Sequence, residues 1–152
     1  MTRLRLLCDA RPVLLTVERV ALLRRVELFS QTPDRVLAAL AASLDEVTFF
    51  EGDVLMREGA VEDWLFVVVD GEVEVSRSDR RVTLGLGSVV GELAVLDPQP
   101  RSATVTALTQ VLAFRLRREC FRQAVETQPE IATGVITELV RRLREPREIP
   151  SA

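Results

Sequence analysis

One stretch organises the rest of this sequence, and it reads Gly91-Glu92-Leu93-Ala94-Val95-Leu96-Asp97-Pro98-Gln99-Pro100-Arg101-Ser102-Ala103-Thr104-Val105. A glycine stands next to a carboxylate, and a short apolar turn with two prolines leads to an arginine. The small residues after the arginine open an alternation that is typical of a β-strand. This order predicts a compact loop that presents one acid, one guanidinium and several backbone N–H groups to a small anionic ligand.

The composition around this stretch predicts one soluble globular domain. Of the 152 residues, 47% are hydrophobic and 28% are charged. The net charge of −3 argues against nucleic-acid binding, which usually needs a basic excess. Arginine carries all of the positive charge, because the sequence has neither lysine nor histidine. Without histidine the commonest general base and metal ligand is missing, so we expect no catalytic residue and no metal site.

The cysteines and the apolar segments favour a cytoplasmic protein. Cys8 and Cys120 are far apart and belong to no metal-binding motif, and we expect them to be reduced, although a disulfide stays open. No apolar run approaches the roughly 20 residues of a membrane span. Asp9, Arg11 and Pro12 interrupt the apolar start too early for a secretory signal.

The periodicity of apolar residues predicts helices at both ends and strands in the middle. The predicted order is an N-terminal arm (1–15), helices (about 16–43), a β-region (about 46–117), C-terminal helices (about 118–145) and a tail (146–152). In the second helix we expect Thr32 as the N-cap and Pro33 at the first helical position. We expect the arginine groups of 115–118 and 141–144 to form solvated faces.

The β-region contains seven or eight short segments at roughly ten-residue spacing, a pattern typical of a β-sandwich, barrel or jelly roll. The segment 64–69 is apolar on both faces, so we expect it between two packed layers. Asp70-Gly71, directly after it, predicts a hairpin turn. The fold class is therefore mainly β with flanking helices.

The opening stretch resembles the phosphate-binding cassette of the cyclic nucleotide-binding domain family, which includes regulatory domains of cyclic-nucleotide-dependent kinases and channels and catabolite-activator-type regulators. The matching residues are Gly91-Glu92-Leu93-Ala94 and Pro100-Arg101-Ser102-Ala103-Thr104-Val105, with Gly59, Asp63, Phe66 and Gly71 upstream. The resemblance covers about residues 26–144. It implies an eight-stranded β jelly roll, a cupin-like sandwich, with N-terminal helices and two C-terminal helices of the family's B and C type. One departure is Val90, where the family usually has an aromatic residue that packs against the C-terminal helix.

The resemblance implies cyclic AMP or cyclic GMP as the ligand, and no other cofactor. Arg101 would pair with the phosphate through two parallel N–H bonds, and Glu92 would accept the ribose 2′-hydroxyl. The implied ligand-binding set is Gly91, Glu92, Leu93, Ala94, Arg101, Ser102 and Ala103. The residues of the last helix that would form a lid over the base are Leu139, Val140 or Leu143. The residues alone leave open an ordinary surface ion pair between Glu92 and Arg101.

The implied role is a non-catalytic regulatory sensor that signals through lid movement of the last helix. No helix-turn-helix follows that helix and no kinase, cyclase or channel signature is present, so we expect the effector protein or domain outside this chain. We expect no direct nucleic-acid binding and no membrane span. Pairing of two copies through the last helix stays open. The alternative is a ligand-free domain of the same family that serves as a protein-interaction module, and an enzyme would lack a nucleophile beside Glu92.

Overall fold

The computed structural model describes residues 14–26, 29–97 and 99–144, without the side chains of Glu92, Leu93, Glu138 and Arg142. The helices are α1 (Thr16–Arg24), α2 (Asp34–Ala42), α3 (Glu92–Leu96), α4 (Arg118–Thr127) and α5 (Glu130–Arg144). The strands are β1 (Asp45–Phe49), β2 (Val54–Met56), β3 (Trp64–Asp70), β4 (Val73–Arg77), β5 (Arg80–Leu84), β6 (Val89–Val90), β7 (Thr104–Ala107) and β8 (Val111–Arg117). The predicted tail, most of the predicted arm and Cys8 lie outside the described residues. None of the helices described is both long and apolar enough to cross a membrane.

The described strands form two antiparallel sheets of four strands each. Their orders are β1-β8-β3-β6 and β2-β7-β4-β5. With helices before and after them, these sheets confirm the predicted jelly-roll sandwich. Strand β6 has only two residues, and the sequence pattern did not single it out because two residues are too few to show an alternation.

Strand β3 separates two hydrophobic cores, as its apolar character on both faces predicts. Leu65, Val67 and Val69 point to one core, whereas Phe66 and Val68 point to the other. The inter-sheet core comprises Val47, Phe49, Leu55, Met56, Phe66, Val68, Val73, Val75, Val90, Ala103, Val105, Ala107, Val111 and Ala113. The helix-side core comprises Leu23, Val26, Phe29, Val36, Leu37, Leu40, Ala41, Leu44, Leu65, Val67, Val69, Val95, Phe114, Leu116, Phe121, Ile131 and Val135.

The predicted hairpin at Asp70-Gly71 is wrong in its strand pairing. Strand β3 pairs with β6 and β8, and β4 pairs with β5 and β7, so the turn carries the chain from one sheet to the other. A turn dipeptide reverses the chain but does not choose the neighbouring strand. Gly71 is still required, because its φ is +90° and a Cβ there would overlap the carbonyl oxygen of Gln110.

The start of α2 also differs from the prediction. Pro33, not Thr32, occupies the N-cap position, and its carbonyl oxygen accepts the N–H groups of Val36 and Leu37. The backbone N–H of Thr32 is already bonded to Phe29 O in the preceding turn. This turn buries Thr32, and its hydroxyl has no hydrogen-bond partner among the described residues. Burial of the turn therefore overrides the local capping preference.

One further expectation about side chains is corrected, and the departure at Val90 is placed. Arg115 is not solvated, because its side chain is 18% exposed, bonds to Asp45 at 3.1 Å and lies over the Trp64 ring. Val90, which departs from the family's usual aromatic residue, is fully buried in the inter-sheet core. Its neighbour Val89 is the residue that packs on the helix-side core, since successive residues of a strand face opposite sides.

Arg19 joins α1 to the elements beside it. Its Nη1 donates to the carbonyl oxygens of Ala41 at 2.8 Å and Leu44 at 3.1 Å, and its Nη2 lies 3.1 Å from Glu46 Oε1. The guanidinium also lies over the ring of Phe114, 5.7 Å from its centroid. The carbonyl oxygen of Ala41 also accepts the backbone N–H of Leu44 at 3.4 Å, so Arg19 adds a second donor at the end of α2.

Because the Arg19 side chain is only 14% exposed, we expect Arg19→Gln to lower the free energy of unfolding by about 2–4 kcal/mol. The control is Arg35→Gln, since Arg35 is well exposed and 3.8 Å from Glu130. That surface pair contributes about 0.5 kcal/mol or less. Urea unfolding midpoints of the two variants measure the difference, and equal losses would contradict a structural role specific to Arg19.

Candidate ligand-binding site

An open pocket of about 300 Å³ lies where the chain leaves α3 and approaches β7. Its described lining consists of Ala94, Leu96, Asp97, Gln99, Pro100, Arg101 and Ser102. The volume is at the lower end of the range for small-molecule sites. The pocket therefore brings together three residues of the predicted ligand-binding set: Ala94, Arg101 and Ser102.

Arg101 is a buried cation in the wall of this pocket. The residue is 4% exposed, although it borders the open space. Its Nη1 donates to the carbonyl oxygen of Gly91 at 3.3 Å, and its Nη2 donates to that of Trp64 at 2.5 Å. The same Nη2 lies 3.7 Å from Glu62 Oε2. An ordinary surface ion pair is therefore the wrong description of Arg101, because a guanidinium in this position has lost most of its water.

The backbone on either side of Arg101 is fixed by the segment that precedes β3. The N–H of Gly59 donates to Arg101 O, and the N–H of Arg101 donates to Ala60 O, both at 2.8 Å. Val61 and Pro100 form an antiparallel bridge next to these bonds. Gly59, for which the sequence predicts only a turn, therefore also helps to hold the arginine in register.

Gly91 allows the close approach that the buried guanidinium needs. Its φ is +81°, a conformation that side chains rarely adopt. A Cβ on Gly91 would overlap the end of the Met56 side chain and lie 2.5 Å from Arg101 Nη1. The sequence predicts that another group approaches the backbone of Gly91 closely. In the structure, that group is the guanidinium of Arg101.

The other predicted cassette residues differ in how far the structure describes them. Glu92 and Leu93 form the first turn of α3, and only their backbone is described, so their roles stay predictions. Ala103 is fully buried in the inter-sheet core, so its side chain supports the strands. Ser102 is half-buried on the pocket wall. Val95, in the middle of α3, belongs to the helix-side core.

The three predicted lid residues are not among the described residues that line the pocket. Leu139 packs partly on the helix-side core. Val140 is 41% exposed and Leu143 is 86% exposed. The pocket is open in this structure, and the lid stays a prediction.

Sequence reasoning missed Glu62, Trp64 and Met56 at this site. Trp64 contributes a backbone oxygen, which no residue type encodes. Met56 contributes packing beside Gly91. Glu62 looks like one of several loop acids in the sequence. Tertiary backbone contacts of the preceding residues, including the bridge between Val61 and Pro100, bring it to Arg101. Asp97, at the edge of the pocket, accepts a bond from the Gln99 side chain at 3.4 Å.

The described residues contain no group of three or more acidic, cysteine or histidine side chains that could hold a metal ion.

A family model described as "Cyclic nucleotide-binding domain" matches residues 46–128, from β1 to the end of α4. This chain belongs to the cyclic nucleotide-binding domain family. The match includes the whole opening stretch and the loop that carries Glu62, and it confirms the family that the cassette resembles.

Similar proteins of this family have regulatory descriptions. The CRP-like cAMP-activated global transcriptional regulator of Mycobacterium tuberculosis is 33% identical over 129 residues, which are 81% of this chain and 58% of that protein. The N-terminal domain of a transcriptional regulator from Streptomyces coelicolor is 39% identical with a TM-score of 0.72, over 81% of this chain and 90% of that one. The chain thus spans less than two thirds of the length of the curated regulator.

A third similar protein has a different description. It is the regulatory subunit of a cAMP-independent protein kinase A from Trypanosoma brucei, which is 27% identical with a TM-score of 0.70. The alignment covers 86% of this chain and 49% of that subunit. Membership of the family therefore does not by itself establish a response to cyclic AMP, which depends on the residues of each domain's own site.

Gly91→Ala tests the crowding around Arg101. We expect the substitution to lower the free energy of unfolding by about 2–4 kcal/mol, from backbone strain and from overlap with Met56 and Arg101. Gly52→Ala is the control, because Gly52 has a similar φ of +87° and open space where a Cβ would lie. It should cost about 1 kcal/mol. Chemical denaturation of both variants measures the difference, and equal costs would mean that crowding contributes nothing.

Proposed function

We propose that this domain is a non-catalytic sensor that binds a cyclic nucleotide through Arg101. The observation that carries the proposal is the buried guanidinium in the wall of an open pocket, within a cassette of the matching family. A cyclic nucleotide brings one phosphate anion and a free ribose 2′-hydroxyl. The planar guanidinium can offer two parallel N–H bonds to such an anion.

The energetics support binding at moderate affinity. The fold has already removed most water from Arg101, so little further desolvation of the cation opposes ligand binding. Charge-assisted hydrogen bonds contribute about 1.5–3 kcal/mol each. Three or four such bonds, from Arg101, Glu92 and the Ser102–Ala103 backbone, less the entropy cost of association, correspond to a micromolar complex of about −8 kcal/mol.

We further propose that ligand binding shifts α5 from an open to a closed position. The open pocket and the exposure of Val140 and Leu143 support this, because both side chains offer apolar surface that a nucleotide base can cover. Leu139 would leave or adjust its partial contact with the helix-side core. A protein or domain outside this chain, or a second copy, would detect the difference between the two positions.

A ligand-free interaction module is the second candidate function. The observation in its favour is the likeness to the Trypanosoma brucei subunit, which is described as belonging to a cAMP-independent kinase. In that case Arg101 would stabilise the sandwich only, and the exposed side chains of α5 would contact a protein partner without a ligand.

Isothermal titration with cyclic AMP and with cyclic GMP decides between the two candidates. We expect a micromolar complex with at least one of them, and the comparison shows which base is preferred. We expect Arg101→Ala to weaken binding by about 3 kcal/mol or more, because the phosphate loses its buried partner. Arg101→Lys keeps the charge but loses the two parallel bonds, so its affinity should lie in between.

Arg117→Ala is the control, since Arg117 is 58% exposed and should leave the affinity unchanged. Thermal unfolding of each variant checks that it is folded. No heat and no thermal shift with either nucleotide at millimolar concentration would support the ligand-free module. Unchanged affinity in folded Arg101→Lys and Arg101→Ala would mean that the phosphate binds elsewhere.

A further inference from the structure

The carboxylate of Glu62 forms an ion pair with Arg101 in the pocket wall. Its Oε2 lies 3.7 Å from Arg101 Nη2, which is within ion-pair range but too long for a hydrogen bond. The Glu62 side chain is 20% exposed, and that of Arg101 is 2% exposed. The pair is therefore largely withdrawn from water. In such a position, salt and solvent screen the two charges less than they do on an open surface.

The backbone holds this carboxylate near the guanidinium. Residues Gly59 and Ala60 bond to both sides of Arg101, and Val61 bridges to Pro100. Glu62 follows directly, and β3 begins two residues later at Trp64, whose carbonyl oxygen bonds the same Nη2. The backbone position of Glu62 thus results from the fold, which keeps its side chain within reach of the guanidinium.

A ligand phosphate and Glu62 would share one cation. The carboxylate already offsets the charge of the guanidinium, and an added phosphate brings a further negative charge to the same group. An excess charge in a partly buried site is unfavourable, and two anions on the same guanidinium repel each other. The hydrogen bonds from Arg101 to Gly91 and Trp64 go to carbonyl oxygens, so loss of the Glu62 charge does not remove them.

We propose that Glu62 is an internal competitor of the ligand phosphate, which sets the affinity of the pocket below the value that Arg101 alone would give. This inference rests on the proposed function, because it concerns the same anion site. Glu62 acts as a counter-ion and not as a contact of the nucleotide. Its effect distinguishes it from a positioning residue, since removal of a positioning residue weakens binding and removal of a competitor strengthens it.

The test compares Glu62→Gln with the wild-type chain in titrations with cyclic AMP and cyclic GMP. Glutamine keeps the size of the side chain and removes the charge, so we expect binding to become tighter by about 5- to 50-fold. The matched control is Glu58→Gln, because Glu58 is an exposed acid on the same loop. Its affinity should stay within about twofold of wild type, as expected for a solvated charge. Thermal unfolding midpoints verify that both variants are folded.

Each outcome decides the inference separately from the proposed function. Tighter binding in Glu62→Gln alone supports the inference. Binding by Glu62→Gln when the wild type shows none also supports it, because Glu62 would then prevent nucleotide binding. Unchanged or weaker binding in Glu62→Gln, while the wild type binds, overturns the inference and leaves the function intact. An equal gain in Glu58→Gln also overturns it. Absence of binding in wild type and both variants overturns the inference and the proposed function together.

Discussion

The buried guanidinium of Arg101 is the interaction on which the cassette and the sandwich both depend. It sits just before β7 in one sheet and donates to the carbonyl oxygen of Trp64, the first residue of β3 in the other sheet. It also donates to Gly91, at the entry to α3. A single side chain thus joins the two sheets and the pocket loop. Because an uncompensated buried guanidinium is strongly unfavourable, each of these acceptors must stay in place.

Arg19 plays a comparable part on the helical side of the domain. Both arginines donate to backbone oxygens at the ends of elements and pair with a glutamate from a neighbouring segment. The rigid fork of a guanidinium suits this use better than a lysine ammonium, because it reaches several acceptors in fixed directions. In a chain whose positive charge is all arginine, buried arginines therefore act as links between elements as well as charges.

The spacing of the cassette and the rhythm of short strands were sufficient to predict the family, the sandwich and the loop that carries Arg101. These are local patterns, since a turn, an alternation or a glycine–acid motif extends over few residues. The strand pairing after Asp70-Gly71, the buried Thr32 and the half-buried Arg115 depend on tertiary packing, which overrides local preference. Glu62 was missed for the same reason, because its partner is distant in the sequence and its neighbours look like an ordinary acidic loop.

The burial of Arg101 also bears on the rate at which an anion reaches the pocket. Long-range attraction comes from the field of the whole chain, and the net charge of −3 repels an anion until it is close to the guanidinium. Added salt screens that repulsion far more than it screens the short-range contact between the anion and the Arg101 guanidinium in the pocket wall. The proposed nucleotide complex should therefore form faster at higher ionic strength, whereas complexes of proteins with a basic anion-binding surface form more slowly. The buried cation therefore contributes to recognition of an anion inside the pocket, but it does not attract the anion from a distance.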